Sequence, residues 1–156
     1  MKFDFVPMNK DFSNEIINWK YEEPYSFYDM TSDKEDLKEF KDEKNWENRY
    51  FAVINKKDKL VGFYSYNFED KKMWIGFGLK PSLTGGGNGE EFVKSGIEFG
   101  IKYFDYTEKE IYLAVAKFNI RAIKLYKKIG FESIREYLQK TNGGEYEFIE
   151  MKKRLT

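Results

Sequence analysis

The spacing of apolar residues along this chain changes several times, and each change marks an element. KFDFVPM alternates and predicts a short first strand. From about Asp11 to Tyr21, Phe12, Ile16, Ile17 and Trp19 recur at helical spacing. Pro24 breaks that pattern, and YEEPYSFYDMTSD predicts an irregular, aromatic-rich loop. SDKEDLKEFKDEKNW predicts a second helix, charged all round except at Leu37, Phe40 and Trp46. Three strand-like runs follow, RYFAVIN, LVGFYSYNF and MWIGFGL, separated by turns at KKDK and EDKK. EEFVKSGIEFGIKYF predicts a helix on which Phe92, Gly96, Gly100 and Phe104 step by four along one face. IYLAVA is a further strand, and FNIRAIKLYKKIGF a further helix closed by Gly130. ESIREYLQK and EYEFIEMKKRL flank TNGG, a strong hairpin turn.

The order β-α-α-β-β-β-α-β-α-β-β predicts an α/β chain with a largely antiparallel start and a βαβ crossover in its middle. No internal repeat, low-complexity tract or linker interrupts it, so one domain over residues 1–156 is expected. Fifteen Phe, twelve Tyr and three Trp can fill its core.

Composition changes the picture mainly by exclusion. Lys plus Arg and Asp plus Glu each number 27, and that balance argues against a nucleic-acid partner. No run approaches the ~18 apolar residues of a membrane span, and MKFDFVPMNK lacks the apolar stretch of a signal peptide. With no cysteine, a reducing, cytoplasmic setting is expected. The lack of both Cys and His rules out cysteine acyl-enzymes, Ser–His–Asp triads, His proton shuttles and His/Cys zinc sites. No D-x-[DN]-x-[DN]-G loop is present, so no metal is expected.

PSLTGGGNGEEF, residues 81–92, is the candidate for chemistry. Each glycine costs roughly 0.5–1 kcal/mol relative to Ala in regular structure, so four in five positions need a reason. They lie between a strand and a helix, where bare amides and the helix dipole favour an anion such as a phosphate. The plain alternative is a flexible surface turn. A P-loop is excluded because Glu90 and Glu91 follow Gly89. The dinucleotide fingerprint fails too, since Glu90 and Phe92 stand where its third glycine belongs.

What remains is a strand, P-x-x-x-G-x-G-x-G and a helix, followed by N-x-x-A-x-x-L-Y-x-x-x-G-F. The second motif is met by Asn119, Ala122, Leu125, Tyr126, Gly130 and Phe131. Together they resemble the GNAT family of N-acetyltransferases, most closely over about residues 72 to 131. The resemblance implies a GNAT fold, a mixed, mostly antiparallel central sheet of about six to seven strands flanked by about four helices. It implies acetyl-CoA as cosubstrate, its pyrophosphate on the amides of Gly85, Gly86, Gly87, Asn88 and Gly89 and on the Thr84 hydroxyl. Relatives usually carry Arg or Gln where this chain has Thr84. Glu90 and Glu91 are expected to turn away from the phosphates.

The pantetheine arm is expected along the strand ending at Leu79, pairing with backbone around Phe77 and Leu79, where an amide could also polarise the acetyl carbonyl. Gly76 and Gly78 suit a close approach there, although packing against a bulky neighbour would explain them as well. Tyr126 matches the family's general acid. A thiol with pKa near ~8.5 can take a proton from a phenol near ~10 as it leaves. Asn119, close to two helical turns earlier, is expected on the same side, holding the pantetheine. Arg121, Lys124, Lys127 and Lys128 are candidates for the 3′-phosphate or a solvated face.

The acceptor wall is expected from YEEPYSFYDM. Glu22, Glu23, Tyr25 and Tyr28, with Tyr21, Phe27 and Asp29, suit a cationic amine through carboxylate pairing and cation–π contact. MWIGFGL holds no acid, so the amine proton is expected to leave through water to Glu22 or Glu23. In the bland alternative these aromatics only cap the core. The expected activity is direct acetyl transfer to a primary amine of a small acceptor in a ternary complex. A non-catalytic CoA-binding module of the same fold is the first alternative, and a nucleotide or phosphopeptide binder the second. The oligomeric state stays open, a homodimer included.

Overall fold

The computed structural model describes residues 2–155. Within them the strands are β1 (Asp4–Pro7), β2 (Tyr50–Ile54), β3 (Leu60–Glu69), β4 (Lys72–Leu79), β5 (Glu110–Ala116), β6 (Phe131–Thr141) and β7 (Gly144–Arg154). The α-helices are α1 (Lys10–Ile17), α2 (Lys34–Lys41), α3 (Gly89–Tyr103) and α4 (Ile120–Ile129). The elements follow the expected order. The strands are ordered β1-β2-β3-β4-β5-β7-β6 in one mostly antiparallel sheet, with β4 and β5 parallel. The chain forms two compact units, residues up to Ser65 with Phe77–Phe92, and Tyr66–Gly76 with residues from Val93 on. Strands β3 and β4 and helix α3 each contribute to both.

In the first unit, Asn9 starts α1 by accepting the Phe12 N–H at 2.8 Å. The helix stops at Ile17, short of the expected Tyr21. The Asn18 N–H turns back to the Glu15 carbonyl and the Trp19 N–H to the Ile16 carbonyl, each at 3.1 Å, while the Trp19 side chain stays buried beyond the helix end. Helix α2 is likewise shorter than its charge pattern suggests. Asp42 adopts extended backbone and accepts the Lys44 N–H at 3.1 Å, starting a separate short turn. Met8, Ile16, Trp19, Phe40, Ala52 and Leu60 form one core cluster of this unit. Two glycines make room for rings. A Cβ on Gly62 would lie 2.6 Å from the Phe92 ring and 2.8 Å from the Gly78 carbonyl, and one on Gly78 would lie 2.5 Å from the Phe63 ring.

In the second unit, Gly96 and Gly100 on α3 are buried. The Tyr66 ring enters the gap they leave, its hydroxyl donating to the Gly96 carbonyl at 2.6 Å, and a Cβ on Gly100 would lie 2.5 Å from that ring. Parallel pairing of β4 with β5 covers only Met73–Ile111 and Trp74–Tyr112, although both strands run on. Strands β6 and β7 pair in a long hairpin from Phe131–Lys153 to Thr141–Gly144. Asn142 and Gly143 at its tip both have positive φ, 50° and 76°, as a two-residue turn of this hand requires. Gly130 closes α4 at φ 119°, its N–H reaching the carbonyls of Tyr126 and Lys127.

Candidate functional site

The candidate residues divide between the two units. Phe77, Leu79 and residues 84–89 belong to the first, and Asn119 and Tyr126 to the second.

Strand β4 ends at Leu79, and a short 3-10 turn over Pro81–Leu83 leads into the glycine loop. Gly85 and Gly87 have φ of 74° and 82°, a region that L side chains resist by about 1–2 kcal/mol. Gly86 between them lies outside that region. Alternation of this kind turns successive N–H groups toward one side, a concavity suited to an anion. Gly85, Gly86 and Gly87 are exposed, while Asn88 and Gly89 are half-buried. Helix α3 begins immediately after, its first hydrogen bond running from the Phe92 N–H to the Asn88 carbonyl at 3.0 Å. The dipole of a fifteen-residue helix thus meets the loop. Glu91 is exposed, as expected, but Glu90 is half-buried.

Thr84 behaves differently from the expectation. Its hydroxyl donates to the Pro81 carbonyl at 2.8 Å, and its N–H donates to the same oxygen at 3.2 Å. Both donors that could meet a phosphate are spent closing the preceding turn. The loop's anion-binding capacity therefore rests on the amides that follow.

Gly78 is explained by the Phe63 ring beside it, the packing alternative rather than room for a ligand. At Leu79 the structure places Tyr21, expected only as part of the acceptor wall, against the end of β4. The Tyr21 hydroxyl donates to the Leu79 carbonyl at 2.7 Å across 58 residues of sequence. Burial, and secondarily the charge of Asp29, pushes the Tyr21 phenol well above its ordinary pKa. Its backbone N–H donates to Asp29 Oδ1 at 2.8 Å, so the expected acceptor segment is tied at both ends of Tyr21. Within that segment Glu22 and Glu23 are exposed, Tyr25 is half-buried and Tyr28 is exposed. Ser26 donates its hydroxyl to Glu23, and the rings of Phe27 and Tyr28 meet edge to face.

In the second unit, Asn119 stands just before α4 as its N-cap, φ −84° and ψ 70°, and Oδ1 accepts the Ala122 N–H at 3.2 Å. Counting two helical turns from it to Tyr126 therefore does not apply, because Asn119 lies outside the helix. An Asn in this place satisfies a helix donor that would otherwise lack a partner, and its side-chain oxygen is committed to that task. Tyr126 lies half-buried on α4, its ring 6.0 Å from that of Phe131 at 61°. The motif thus fixes its tyrosine with its own last residue. Arg121, Lys124, Lys127 and Lys128 are exposed.

Among the described residues, no group of three or more His, Cys, Asp or Glu side chains could hold a metal, and no helix is long and apolar enough to cross a membrane.

The family model described as the acetyltransferase (GNAT) family matches residues 13–131. Comparison with curated protein sequences finds no match. Among solved structures, a spermidine N-acetyltransferase chimera from Vibrio cholerae and hSSAT superposes with a TM-score of 0.78 at 19% identity, over 99% of this chain and 96% of that one. The Vibrio cholerae spermidine N-acetyltransferase in complex with CoA and spermine gives 0.74 at 17% identity, over 97% and 95%.

Proposed function

Because the chain belongs to the GNAT acetyltransferase family, we propose that it transfers an acetyl group from acetyl-CoA to a primary amine of a small cationic acceptor, directly and without an acyl-enzyme. The observation that carries this reading is the glycine loop, whose left-handed Gly85 and Gly87 turn bare amides outward at the start of α3. Gly85, Gly86, Gly87, Asn88 and Gly89 hold the pyrophosphate, and the backbone of Phe77 and Leu79 receives the pantetheine amides. Asn119, its Oδ1 engaged in the cap, serves by positioning the start of α4.

The acceptor nitrogen attacks the thioester carbonyl carbon. A C–N bond forms, the C–S bond breaks, and the sulfur leaves with the proton of the Tyr126 hydroxyl. The amine's surplus proton passes through water to Glu22 or Glu23, which the structure leaves exposed, and solvent reprotonates the phenol. The solved spermidine enzymes of similar fold support a polyamine-like acceptor. Two exposed carboxylates beside Tyr25 and Tyr28 are the complement such a cation needs.

The test is free-thiol release from acetyl-CoA across a panel of polyamines, amino acids and aminated antibiotics. Turnover with at least one amine is expected. Tyr126→Phe should then lower kcat by about 10²–10⁴-fold, the usual share of general acid catalysis, with acetyl-CoA affinity little changed. An unchanged kcat, with chemistry shown to be rate-limiting, removes Tyr126 from the role. CoA binding with no turnover of any amine would favour the non-catalytic module.

A further inference from the structure

The peptide joining Leu79 to Lys80 is held at both ends within the first unit. Its N–H, on Lys80, donates to the Val61 carbonyl of β3 at 2.8 Å, and its carbonyl, on Leu79, accepts the Tyr21 hydroxyl at 2.7 Å. In a trans peptide these two groups point in opposite directions, so the Leu79 carbonyl faces the edge of β4 away from β3. In extended backbone the N–H of the same residue points to that edge too. With its carbonyl taken by Tyr21, what Leu79 offers a ligand there is its N–H.

We propose that Tyr21 is a positioning residue for acyl transfer: by holding the Leu79 carbonyl it presents the end of β4 as a donor-only edge to the thioester oxygen and fixes the acceptor segment against the same strand. This rests on the acetyltransferase reading above. A thioester oxygen gains negative charge as the amine adds, and donors aimed at that charge stabilise it. A bare peptide carbonyl beside the same N–H would oppose the charge. The Tyr21 hydroxyl masks that carbonyl with a hydrogen, and the buried phenol, raised in pKa by burial and by Asp29, keeps its proton throughout the working range.

The second half of the device is the bond from the Tyr21 N–H to Asp29 Oδ1 at 2.8 Å. It closes the segment containing Glu22, Glu23, Tyr25 and Tyr28 into a loop whose base is Tyr21 itself. One residue thereby sets the acceptor wall and the strand end that faces the acetyl group. Its bond touches Leu79 alone and leaves the Phe77 backbone and the glycine loop to hold CoA, so its effect falls on chemistry and acceptor placement far more than on the grip on CoA.

The experiment is steady-state kinetics of wild type and Tyr21→Phe with an amine that wild type acetylates, alongside urea unfolding and CoA titration calorimetry. The expected result is a kcat lowered by roughly tenfold and a raised acceptor KM, with CoA affinity within about twofold of wild type. A merely structural role would move the unfolding midpoint and CoA affinity together and leave kcat per folded molecule unchanged, and that pattern overturns the proposal. So does a kcat within twofold of wild type in a well-folded variant. If Tyr21→Phe does not fold, Asp29→Ala and Asp29→Asn decide. Asp29→Ala opens the base of the segment and should raise acceptor KM, whereas Asp29→Asn keeps an oxygen for the Tyr21 N–H and should restore it. Equal KM in all three forms overturns the tie. A wild type that acetylates no amine overturns the acetyltransferase reading itself and this one with it, an outcome distinct from an active wild type with an indifferent Tyr21→Phe.

Discussion

Glycine serves two opposite purposes in this chain, and the loop at residues 85–89 and the packed sites at Gly62, Gly78 and Gly100 show them side by side. In the loop, Gly85 and Gly87 are required by backbone conformation, with φ of 74° and 82°, and a Cβ on Gly87 would meet nothing within 4 Å. At the packed sites, a Cβ would press into Phe92, Phe63 or Tyr66. The loop glycines keep a surface bare, and the packed ones let a large ring come close. A motif search treats all of them as the same letter. Only the loop type points to a ligand, since room for a neighbouring ring is explained by the ring.

The contrast can be broken by substitution. Gly62→Ala carries the largest expected effect on the fold. Its Cβ would lie 2.6 Å from Phe92 and 2.8 Å from the Gly78 carbonyl, and that backbone oxygen cannot swing aside. A loss at or above the upper end of about 1–3 kcal/mol is expected from overpacking, read as a lowered urea midpoint. An unchanged midpoint would mean that the packed class is misread. Gly87→Val comes next, with about 1–2 kcal/mol of left-handed strain and open space around its Cβ. Its distinguishing mark is function, an acetyl-CoA affinity lowered by about tenfold or more, which corresponds to roughly 1.4 kcal/mol, measured by calorimetry on the folded variant. Gly86→Ala sharpens the comparison with the smallest effect. Its Cβ would meet Asn88 Nδ2 at 3.5 Å and the Leu83 carbonyl at 3.7 Å, ordinary contacts, so stability should stay within about 0.5 kcal/mol. A fall in CoA affinity would then report a phosphate resting on the loop. Undiminished affinity in both loop variants would make the loop a surface turn.

Element type and order were legible in the sequence because each strand and helix carries its own period. The hairpin tip and the αL close of α4 were legible because Asn142, Gly143 and Gly130 are residues that such turns demand. The ends of α1 and α2 were not. Asn18 and Asp42 end them through local hydrogen bonds that compete with an apolar pattern running on past the helix, as Trp19 shows. The glycine loop was legible as a loop, but the inward turn of Thr84 toward Pro81 was not, since a hydroxyl's partner depends on the fold around it. Asn119 was found by motif, and its capping role becomes plain only once α4 is seen to begin at Ile120. The bond from Tyr21 to Leu79 had no sequence signal at all, because nothing in a tyrosine's neighbours tells which carbonyl it will meet far along the chain.

The β6–β7 hairpin bears on the order in which the second unit assembles. Its partners are close in sequence, and its tip already favours the required hand, so a pairing of this kind can form within about 1–10 μs. The parallel bonds of β4 to β5 join residues separated by the whole of α3, and closing so long an intervening chain delays them. The hairpin is therefore expected to act as an early template to which β5 adds along Glu110–Ala116, with the two-pair ladder at Met73 and Trp74 completed last. Pulse-labelled hydrogen exchange during refolding should protect amides of Tyr137–Phe148 before that of Met73, which faces away from β3, and the reverse order would show that α3 docking, not the hairpin, leads.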